Sequence, residues 1–290
     1  MQNKKNKLYH IDAFTSEPFS GNPAAVTFGD DLNEEEKQSI AREMNLSETA
    51  FVSKSDKASF KLQWFTPSNE VPLCGHATIA SLHFLSENEL IKDNEEITFE
   101  TLSGILRCRF ENGKYFMQMP VFNVKGYNDE IIEVLDALNL PEDRVDPFVE
   151  TVILENGYLY ICVNNLKSLS EIKPEFNKLK DLSAEEKKFE GVAVYTLETI
   201  DSSSFAHIRF FSPAHGINED PVTGSANGPL FTVLKYLNVI DQTEEEAYVQ
   251  FEQGDFINHK GRVGVTYYAS TNELYISGKA VTVLKGELSF

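Results

Sequence analysis

Two eight-residue stretches, EVPLCGHA at residues 70–77 and EDPVTGSA at residues 219–226, share Glu, Pro, Gly and Ala at the same four positions. Each stretch, called an octet below, leads into an apolar segment. The offset between the octets is 149 residues, about half of the 290-residue chain. Either the likeness is chance, or one half of the chain repeats the other and both octets face one site.

The segments that follow the octets predict one buried helix in each half. HATIASLHFLSENEL begins at residue 76 and ANGPLFTVLKYLNVI at residue 226, and both are apolar on nearly every side, which is typical of a central helix. Strand-like segments surround each helix, and the pairs Asn112-Gly113 and Asn156-Gly157 predict a tight hairpin in each half. The matching order of elements favours a duplicated domain over chance.

Composition and charge argue against several classes of protein. The chain has 41% hydrophobic and 24% charged residues, as expected for a globular protein of about two domains. Its formal net charge of −19 disfavours nucleic acid, whose phosphates require clustered Lys and Arg, and also disfavours anionic membrane surfaces. An anionic ligand would need local hydrogen-bond donors in such an acidic protein.

Cysteine usage and hydropathy predict a cytoplasmic location. The three cysteines, Cys74, Cys108 and Cys162, are odd in number and far apart, so we expect neither a disulfide framework nor structural zinc. No apolar run approaches the ~20 residues of a membrane span, and the N-terminus lacks an apolar run of signal-peptide length. We expect no membrane and no nucleic-acid partner.

Each octet places a glycine just before its apolar helix, where free backbone N–H groups and the helix dipole attract anions. Gly75 and Gly224 have no Cβ and allow the backbone to approach a ligand closely. Ser225 either caps its helix or gives a hydroxyl to a bound carboxylate, with Ala226 beside it. The alternative is plain turn and cap chemistry, but two octets in register favour a shared anion site.

Three titratable residues near the octets are candidates for proton transfer. His76 occupies the position of Ser225 in the other octet, and Asp220 replaces Val71. Glu48, in LSETAFV, lies where a strand is predicted to begin, among apolar neighbours. Each candidate also has an ordinary explanation: a buried structural histidine, a turn-forming Asp before Pro, and one of many surface glutamates.

A metal site built on the first central helix is disfavoured. His83 follows His76 by seven residues, which is about 10.5 Å along a helix. This separation is too large for both imidazoles to bind one ion, so we expect no metal at this position.

Five sequence blocks, in order, resemble the PhzF-like family, named for phenazine biosynthesis, within the diaminopimelate-epimerase superfamily. The blocks span nearly the whole chain and read IDAFTSEPFSGNPAAV, NLSETAFV, WFTPSNEVPLCGHATIA, FFSPAHGINEDPVTGSAN and SGKAVTVLKGEL. Both octets and Glu48 lie inside these blocks, so the resemblance depends on the residues already singled out.

The resemblance implies an α+β fold of two pseudo-symmetric domains, each a mainly antiparallel, barrel-like sheet around a central helix. We place the first domain at residues 1–122 together with a C-terminal strand at 278–290, and the second domain at 123–277. The active site is expected between the two domains. Family members are often homodimers and use no metal or organic cofactor, so we expect a homodimer without a cofactor.

The resemblance also implies a reaction. In the phenazine branch a dihydro-hydroxyanthranilate, a cyclic diene with a carboxyl group, loses a C–H proton and regains it elsewhere. The family's acid/base glutamate matches Glu48 of the NLSET block, and its catalytic histidine and aspartate match His76 and Asp220. The residues expected to bind a small carboxylate substrate are Gly75, Gly224, Ser225 and Ala226.

One departure separates the chain from diaminopimelate epimerases, which use two cysteines, one in each half. Cys74 occupies one equivalent position, but Thr223 occupies the other, and its hydroxyl does not replace a thiolate at neutral pH. Two-thiol racemisation is therefore disfavoured, and we expect Cys74 to be a packing residue. Two alternatives stay open: an epimerase that uses Glu48 with Cys74 or Asp220, and a non-catalytic protein that binds a small carboxylate.

Overall fold

The structure, a computed structural model, describes residues 5–127, 131–184, 189–241 and 244–289. The helices of these residues are α1 (Glu34–Met44), α2 (Gly75–Glu87), α3 (Ile131–Ala137), α4 (Leu166–Ser170), α5 (Phe176–Ala184) and α6 (Gly224–Tyr236). No helix in this part of the chain is both long enough and apolar enough to cross a membrane.

Strands make up most of the remaining regular structure. Those of the first half are β1 (Lys5–Ala13), β2 (Asn22–Phe28), β3 (Thr49–Ser53), β4 (Phe60–Phe65), β5 (Glu70–Val71), β6 (Glu95–Thr101), β7 (Gly104–Glu111), β8 (Lys114–Met119) and β9 (Val124–Gly126). Those of the second half are β10 (Val152–Leu154), β11 (Tyr158–Cys162), β12 (Gly191–Thr196), β13 (Ala206–Ser212), β14 (Ile217–Asp220), β15 (Glu246–Gln253), β16 (Gly261–Tyr268), β17 (Glu273–Gly278) and β18 (Ala280–Ser289).

The chain divides into two compact units. Unit 1 comprises Met1–Gln118 and Tyr275–Phe290, and unit 2 comprises Met119–Leu274. In unit 1 the C-terminal strand β18 pairs antiparallel with β1 along most of its length. Unit 1 is therefore completed by a strand from the opposite end of the sequence, whereas unit 2 is continuous in sequence.

Unit 1 is a mainly antiparallel sheet around helix α2. Its strands pair in the order β18–β1–β2–β3–β4–β6–β7–β8, with β5 added to β4. Only β2–β3 and β4–β6 are parallel among these pairs. Helix α2 packs against β1, β2, β3 and β18, and ten of its thirteen residues are buried. It is the predicted central helix of the first half.

Unit 2 repeats this arrangement around α6. Its strands pair in the order β9–β10–β11–β12–β13–β15–β16, with β14 added to β13. The parallel pairs, β11–β12 and β13–β15, fall at the same places in the order as those of unit 1. Helix α6 packs against β9, β11 and β16. The predicted α+β fold of two pseudo-symmetric halves is confirmed.

Local sequence explains where several elements begin and turn. The Asn33 side chain accepts a hydrogen bond from the Glu36 amide, and the Glu36 carboxylate accepts one from the Asn33 amide, so a capping box starts α1. The predicted hairpin at Asn112-Gly113 joins β7 to β8, with φ of 52° and 72° at the two turn residues. Most residues of both central helices are buried, which agrees with their lack of a polar face.

Candidate functional site

The first octet forms a strand, a turn and the start of α2. Residues Glu70–Val71 pair with the end of β4, and the chain then turns so that Gly75 is the first helical residue. Cys74 precedes the helix in an extended conformation, and its side chain makes no capping hydrogen bond. The first N–H groups of α2 are thus left without the side-chain cap that Asn33 supplies to α1.

Glu48, Cys74 and His76 lie together in unit 1. Glu48 directly precedes β3 and is 8% exposed, while His76 is 5% exposed at the second position of α2. His76 Nε2 lies 3.3 Å from Glu48 Oε2 and also 3.3 Å from Ser47 Oγ. His76 Nδ1 lies 3.6 Å from Cys74 Sγ. The sequence predicted Glu48 and His76 as candidates, and the fold brings them into contact.

The imidazole of His76 is neutral at physiological pH. Burial disfavours the charged ring and lowers the pKa of His76 to about 3. A neutral imidazole has one N–H donor and one acceptor nitrogen. The ring can therefore donate to one of its neighbours and accept from the other, which makes it a link in a hydrogen-bonded chain.

The same three side chains are of types that also bind metal ions, and they lie close together. One donor atom from each of Glu48, Cys74 and His76 lies within 4.8 Å of the others. However, the two ring nitrogens of His76 face different partners, Nε2 the carboxylate and Nδ1 the thiol. The two ring nitrogens thus link the thiol and the carboxylate in a thiol–imidazole–carboxylate chain.

The second octet has the same local shape in unit 2. Asp220 ends β14, Thr223 precedes α6 in an extended conformation, and Gly224 is the first helical residue. The Thr223 side chain does not cap the helix; its hydroxyl donates to Asp220 Oδ2 at 2.5 Å. Asp220 is buried, and its carboxylate is held by the Thr223 hydroxyl of the same octet.

A buried glutamine of β15 holds this second octet in place. Gln253 Oε1 accepts hydrogen bonds from the Thr223 amide at 2.9 Å and from Asn227 Nδ2 at 2.6 Å. Gln253 Nε2 donates to the Asp220 carbonyl at 2.8 Å and to Thr223 Oγ1 at 3.1 Å. One side chain thus determines the position of both the turn and the hydroxyl that contacts the Asp220 carboxylate.

Tyrosines of β11 contact the start of α6. The Tyr158 hydroxyl lies 3.5 Å from Ser225 Oγ, and the Tyr160 hydroxyl donates to the Ala226 carbonyl at 2.8 Å. The Ala226 amide donates to the Thr223 carbonyl, and the Ala226 side chain is fully buried. Because its backbone groups and side chain are already engaged, Ala226 shapes the helix start, and Ser225 is the residue with a group to offer a ligand.

The shared glutamate of the octets has a structural role that the sequence analysis missed. Glu70 accepts a hydrogen bond from Gln63 Nε2 at 3.2 Å. Glu219 accepts two from Arg209, through Nε and one terminal nitrogen, both at 2.8 Å. Gln63 on β4 directly precedes WFTP, and Arg209 on β13 directly precedes the matching motif FFSP. This repeat in the sequence is the signal that could have identified Gln63 and Arg209 as partners of the two glutamates.

Strand pairing also identifies the counterpart of Glu48 in unit 2. Thr49 pairs with Phe65 of WFTP, and Val192 pairs with Phe211 at the matching place in FFSP. The residues that precede Thr49 and Val192, which are Glu48 and Gly191, are therefore counterparts. A Cβ at Gly191 would lie 2.6 Å from the ring of Phe210. The duplicated position therefore carries a carboxylate in unit 1 and has no room for a side chain in unit 2.

The predicted site residues thus fall into two groups. Glu48, Gly75 and His76 belong to unit 1, whereas Asp220, Gly224, Ser225 and Ala226 belong to unit 2. Each group is assembled around the N-terminus of its own central helix. That both groups serve one substrate stays a prediction.

Comparison with known proteins identifies the family. The profile of the PhzC-PhzF family, described as phenazine biosynthesis-like protein, matches residues 11–286. An uncharacterized isomerase of Clostridium acetobutylicum is 36% identical, over 98% of this chain and 98% of its own length. The crystal structure of a PhzF-family phenazine biosynthesis protein of Bacillus anthracis has a TM-score of 0.91 at 31% identity, and the match covers 98% of this chain and 99% of that one.

A more distant structure shows how widely the fold is shared. A hydroxyproline epimerase of Agrobacterium vitis has a TM-score of 0.62 at 12% identity, over 99% of this chain and 93% of that one, which is a likeness of fold alone. The full-length similarity to a protein named as an isomerase supports an isomerase in the general sense. The chain belongs to the phenazine biosynthesis-like (PhzC-PhzF) family.

Proposed function

We propose that the protein is a PhzF-like isomerase that moves a proton within a small carboxylate substrate, with Glu48 as acid and base. The observation that carries the proposal is the contact between buried Glu48 and neutral His76 at the start of α2. A buried carboxylate oriented by an imidazole is a suitable group to take a proton from carbon and return it.

The proposed reaction balances without a cofactor. Glu48 breaks one C–H bond by accepting its proton, and the electron pair is delocalised into the substrate's double bonds. The same carboxyl group then gives the proton to a different carbon. One C–H bond is lost and one is formed, so the oxidation state of the substrate does not change and no redox group is required.

Substrate binding is assigned to the starts of the two central helices. Cys74 and Thr223 do not cap their helices, so the backbone N–H groups that follow them, including those of Gly75 and Gly224, are suited to a carboxylate. Ser225 adds a hydroxyl beside Tyr158. Such donors also stabilise negative charge that develops on the substrate when the C–H bond breaks.

Asp220 is proposed as an orienting group. Its Oδ2 atom accepts the Thr223 hydroxyl at 2.5 Å, and the Gln253 amide fixes the same turn. We assign His76 a similar orienting role toward Glu48, since its pKa of about 3 makes it a poor base. Glu48 is then the group that carries the proton.

The main rival is an epimerase that uses two bases on opposite faces of one carbon. Such an enzyme needs a base in each half, as in the two-cysteine arrangement. In unit 2 the counterpart of Glu48 is Gly191, and the counterpart of Cys74 is Thr223, whose hydroxyl binds Asp220. These two replacements leave Asp220 as the candidate base of unit 2. Its carboxylate accepts the Thr223 hydroxyl, and this engagement favours one-base proton transfer over two-base inversion.

The decisive variant is Glu48→Gln, which keeps the shape of the side chain and removes its basicity. We expect turnover to fall by ~10²–10⁴-fold while binding of carboxylates is retained. Glu43→Gln is the matched control, because Glu43 is an exposed residue of α1 only five positions away. Full turnover in Glu48→Gln would remove Glu48 from the mechanism.

The assay should distinguish the three candidate functions. Proton NMR in heavy water with a dihydro-hydroxyanthranilate, and with a panel of amino-acid carboxylates, follows both double-bond position and deuterium uptake. A shifted double bond supports the isomerase, whereas exchange at the α-carbon with an unchanged skeleton supports the epimerase. A thermal shift with these carboxylates, equal in wild type and Glu48→Gln and without turnover in either, would indicate a binding protein.

A further inference from the structure

We propose that Cys74 is a positioning residue: its thiol determines which nitrogen of His76 carries the proton and thereby keeps Glu48 a proton acceptor. The inference deepens the proposed function and depends on it for the role of Glu48. The arrangement of the hydrogen-bonded chain itself does not depend on any reaction.

The three groups form a chain with the imidazole in the middle. Cys74 Sγ is 3.6 Å from Nδ1 of His76, and Glu48 Oε2 is 3.3 Å from Nε2. All three side chains are buried, so bulk water competes little for these contacts. The proton on the ring is therefore placed by these neighbours and by the Ser47 hydroxyl at 3.3 Å from Nε2.

Only one tautomer of the neutral ring satisfies both ends of the chain when Glu48 is ionised. With the proton on Nε2, His76 donates to the carboxylate, and Nδ1 accepts the S–H of Cys74. With the proton on Nδ1, the lone pair of Nε2 faces the carboxylate of Glu48 at 3.3 Å. That repulsion is relieved if Glu48 takes a proton, and a protonated Glu48 is no longer a base.

A thiol is both a weak donor and a weak acceptor, but only its donor role is compatible with an Nε2–H that faces the carboxylate of Glu48. A donor facing Nδ1 keeps the ring proton on Nε2. The ring then donates to Oε2 of Glu48 and orients the carboxylate. In serine hydrolases a carboxylate likewise holds the catalytic histidine in one tautomer. Here the thiol of Cys74 holds the tautomer, and the carboxylate is the group that reacts.

The other octet gives independent support. Thr223, the counterpart of Cys74, also leaves its helix uncapped, and its hydroxyl donates to the adjacent carboxylate of Asp220. In both octets the residue before the central helix therefore hydrogen-bonds a neighbouring polar side chain of the site. A residue present only to fill space would not need a donor at this position in both halves.

The test reads the tautomer directly by long-range 1H–15N NMR of ligand-free protein labelled with 15N-histidine. We expect wild-type His76 to be protonated at Nε2 and bare at Nδ1. Cys74→Ala should give a mixture of tautomers, and Cys74→Ser, which restores a donor, should return the ring to the Nε2–H form. Cys108→Ala is the control, because Cys108 is an equally buried thiol on β7.

Turnover gives a second measurement. Cys74→Ala should lower kcat by about tenfold with little change in KM, because the substrate contacts are retained and only the orienting hydrogen bond is lost. Cys74→Ser should recover most of that loss, and Cys108→Ala should show none.

The inference is overturned if wild-type His76 is protonated at Nδ1, if Cys74→Ala keeps a pure Nε2–H ring, or if Cys74→Ser behaves like Cys74→Ala. These outcomes are independent of the proposed function, because the NMR measurement needs no substrate. Conversely, full turnover of Glu48→Gln would refute the role of Glu48 in catalysis and leave the tautomer assignment standing.

Discussion

Replacing Gln253 with leucine tests whether one buried amide holds the second octet. Gln253 is 1% exposed, and leucine has a similar volume, so the change removes hydrogen bonds with little change in packing. The lost contacts are those to the Thr223 amide, the Asn227 side chain, the Asp220 carbonyl and the Thr223 hydroxyl.

The magnitude follows from which groups keep another partner. Asn227 Nδ2 still donates to the Thr223 carbonyl at 2.9 Å, so it is not left unsatisfied. The buried Thr223 amide loses its partner, which costs about 1–3 kcal/mol, and the lost bonds to the Asp220 carbonyl and Thr223 hydroxyl add about 1 kcal/mol. We expect the free energy of unfolding to fall by about 2–4 kcal/mol.

Urea denaturation measures this free energy, and hydrogen exchange at the Thr223 amide reports the local effect. Gln250→Leu is the matched control on the same strand, because the Gln250 amide donates to the hydroxyls of Ser203 and Ser204 near the surface. We expect that variant to change stability by less than about 0.5 kcal/mol. Equal unfolding free energies for the two variants, or unchanged exchange at Thr223, would refute the reasoning.

Two further predictions concern the asymmetry of the duplicated site and the charge of its histidine. Gly191→Ala should destabilise the protein by about 1–3 kcal/mol, because the new Cβ would lie 2.6 Å from the ring of Phe210. Gly286→Ala is the control and should be tolerated, because the nearest atom to its new Cβ lies at 3.6 Å. Thermal denaturation compares the two variants, and equal melting temperatures would contradict the crowding at Gly191. The buried, neutral His76 should make stability fall with acid, since the unfolded chain binds a proton near pH 6.5 and the folded protein only near pH 3. Stability should therefore be full above pH 6.5 and drop by up to about 1.4 kcal/mol per pH unit below it. His76→Asn should flatten this slope, and an unchanged slope in that variant would show that another group is responsible.

Local patterns were enough to predict the elements that place the site. The apolar segments after the octets have no polar face, so the prediction of two buried central helices needed no knowledge of what packs around them. Asn112-Gly113 predicted its hairpin because both residues readily adopt the positive φ that the turn requires. The repeated octets then indicated two halves of one fold.

The octets and the family resemblance identified Glu48 and His76 as candidates, but they did not show that the two side chains touch. Glu48 is 28 residues before His76 in sequence, and the parallel pairing of β2 with β3 and the order of β3 and β4 bring them to 3.3 Å. Cys74, expected only to fill space, proved to face the imidazole. Such contacts depend on how strands are ordered, which periodicity does not encode.

The duplicated fold, the family and most of the candidate residues followed from the amino-acid sequence, because these depend on short patterns and on the identity of side chains. The side chains that support them became known from the folded chain: Gln253, which hydrogen-bonds the second octet, and Gly191, which stands where a second carboxylate would lie. Both depend on strands that are distant in sequence and adjacent in space. Hydrogen bonds of 3 Å and contacts of one carbon atom are determined by that packing, and no local pattern predicts them.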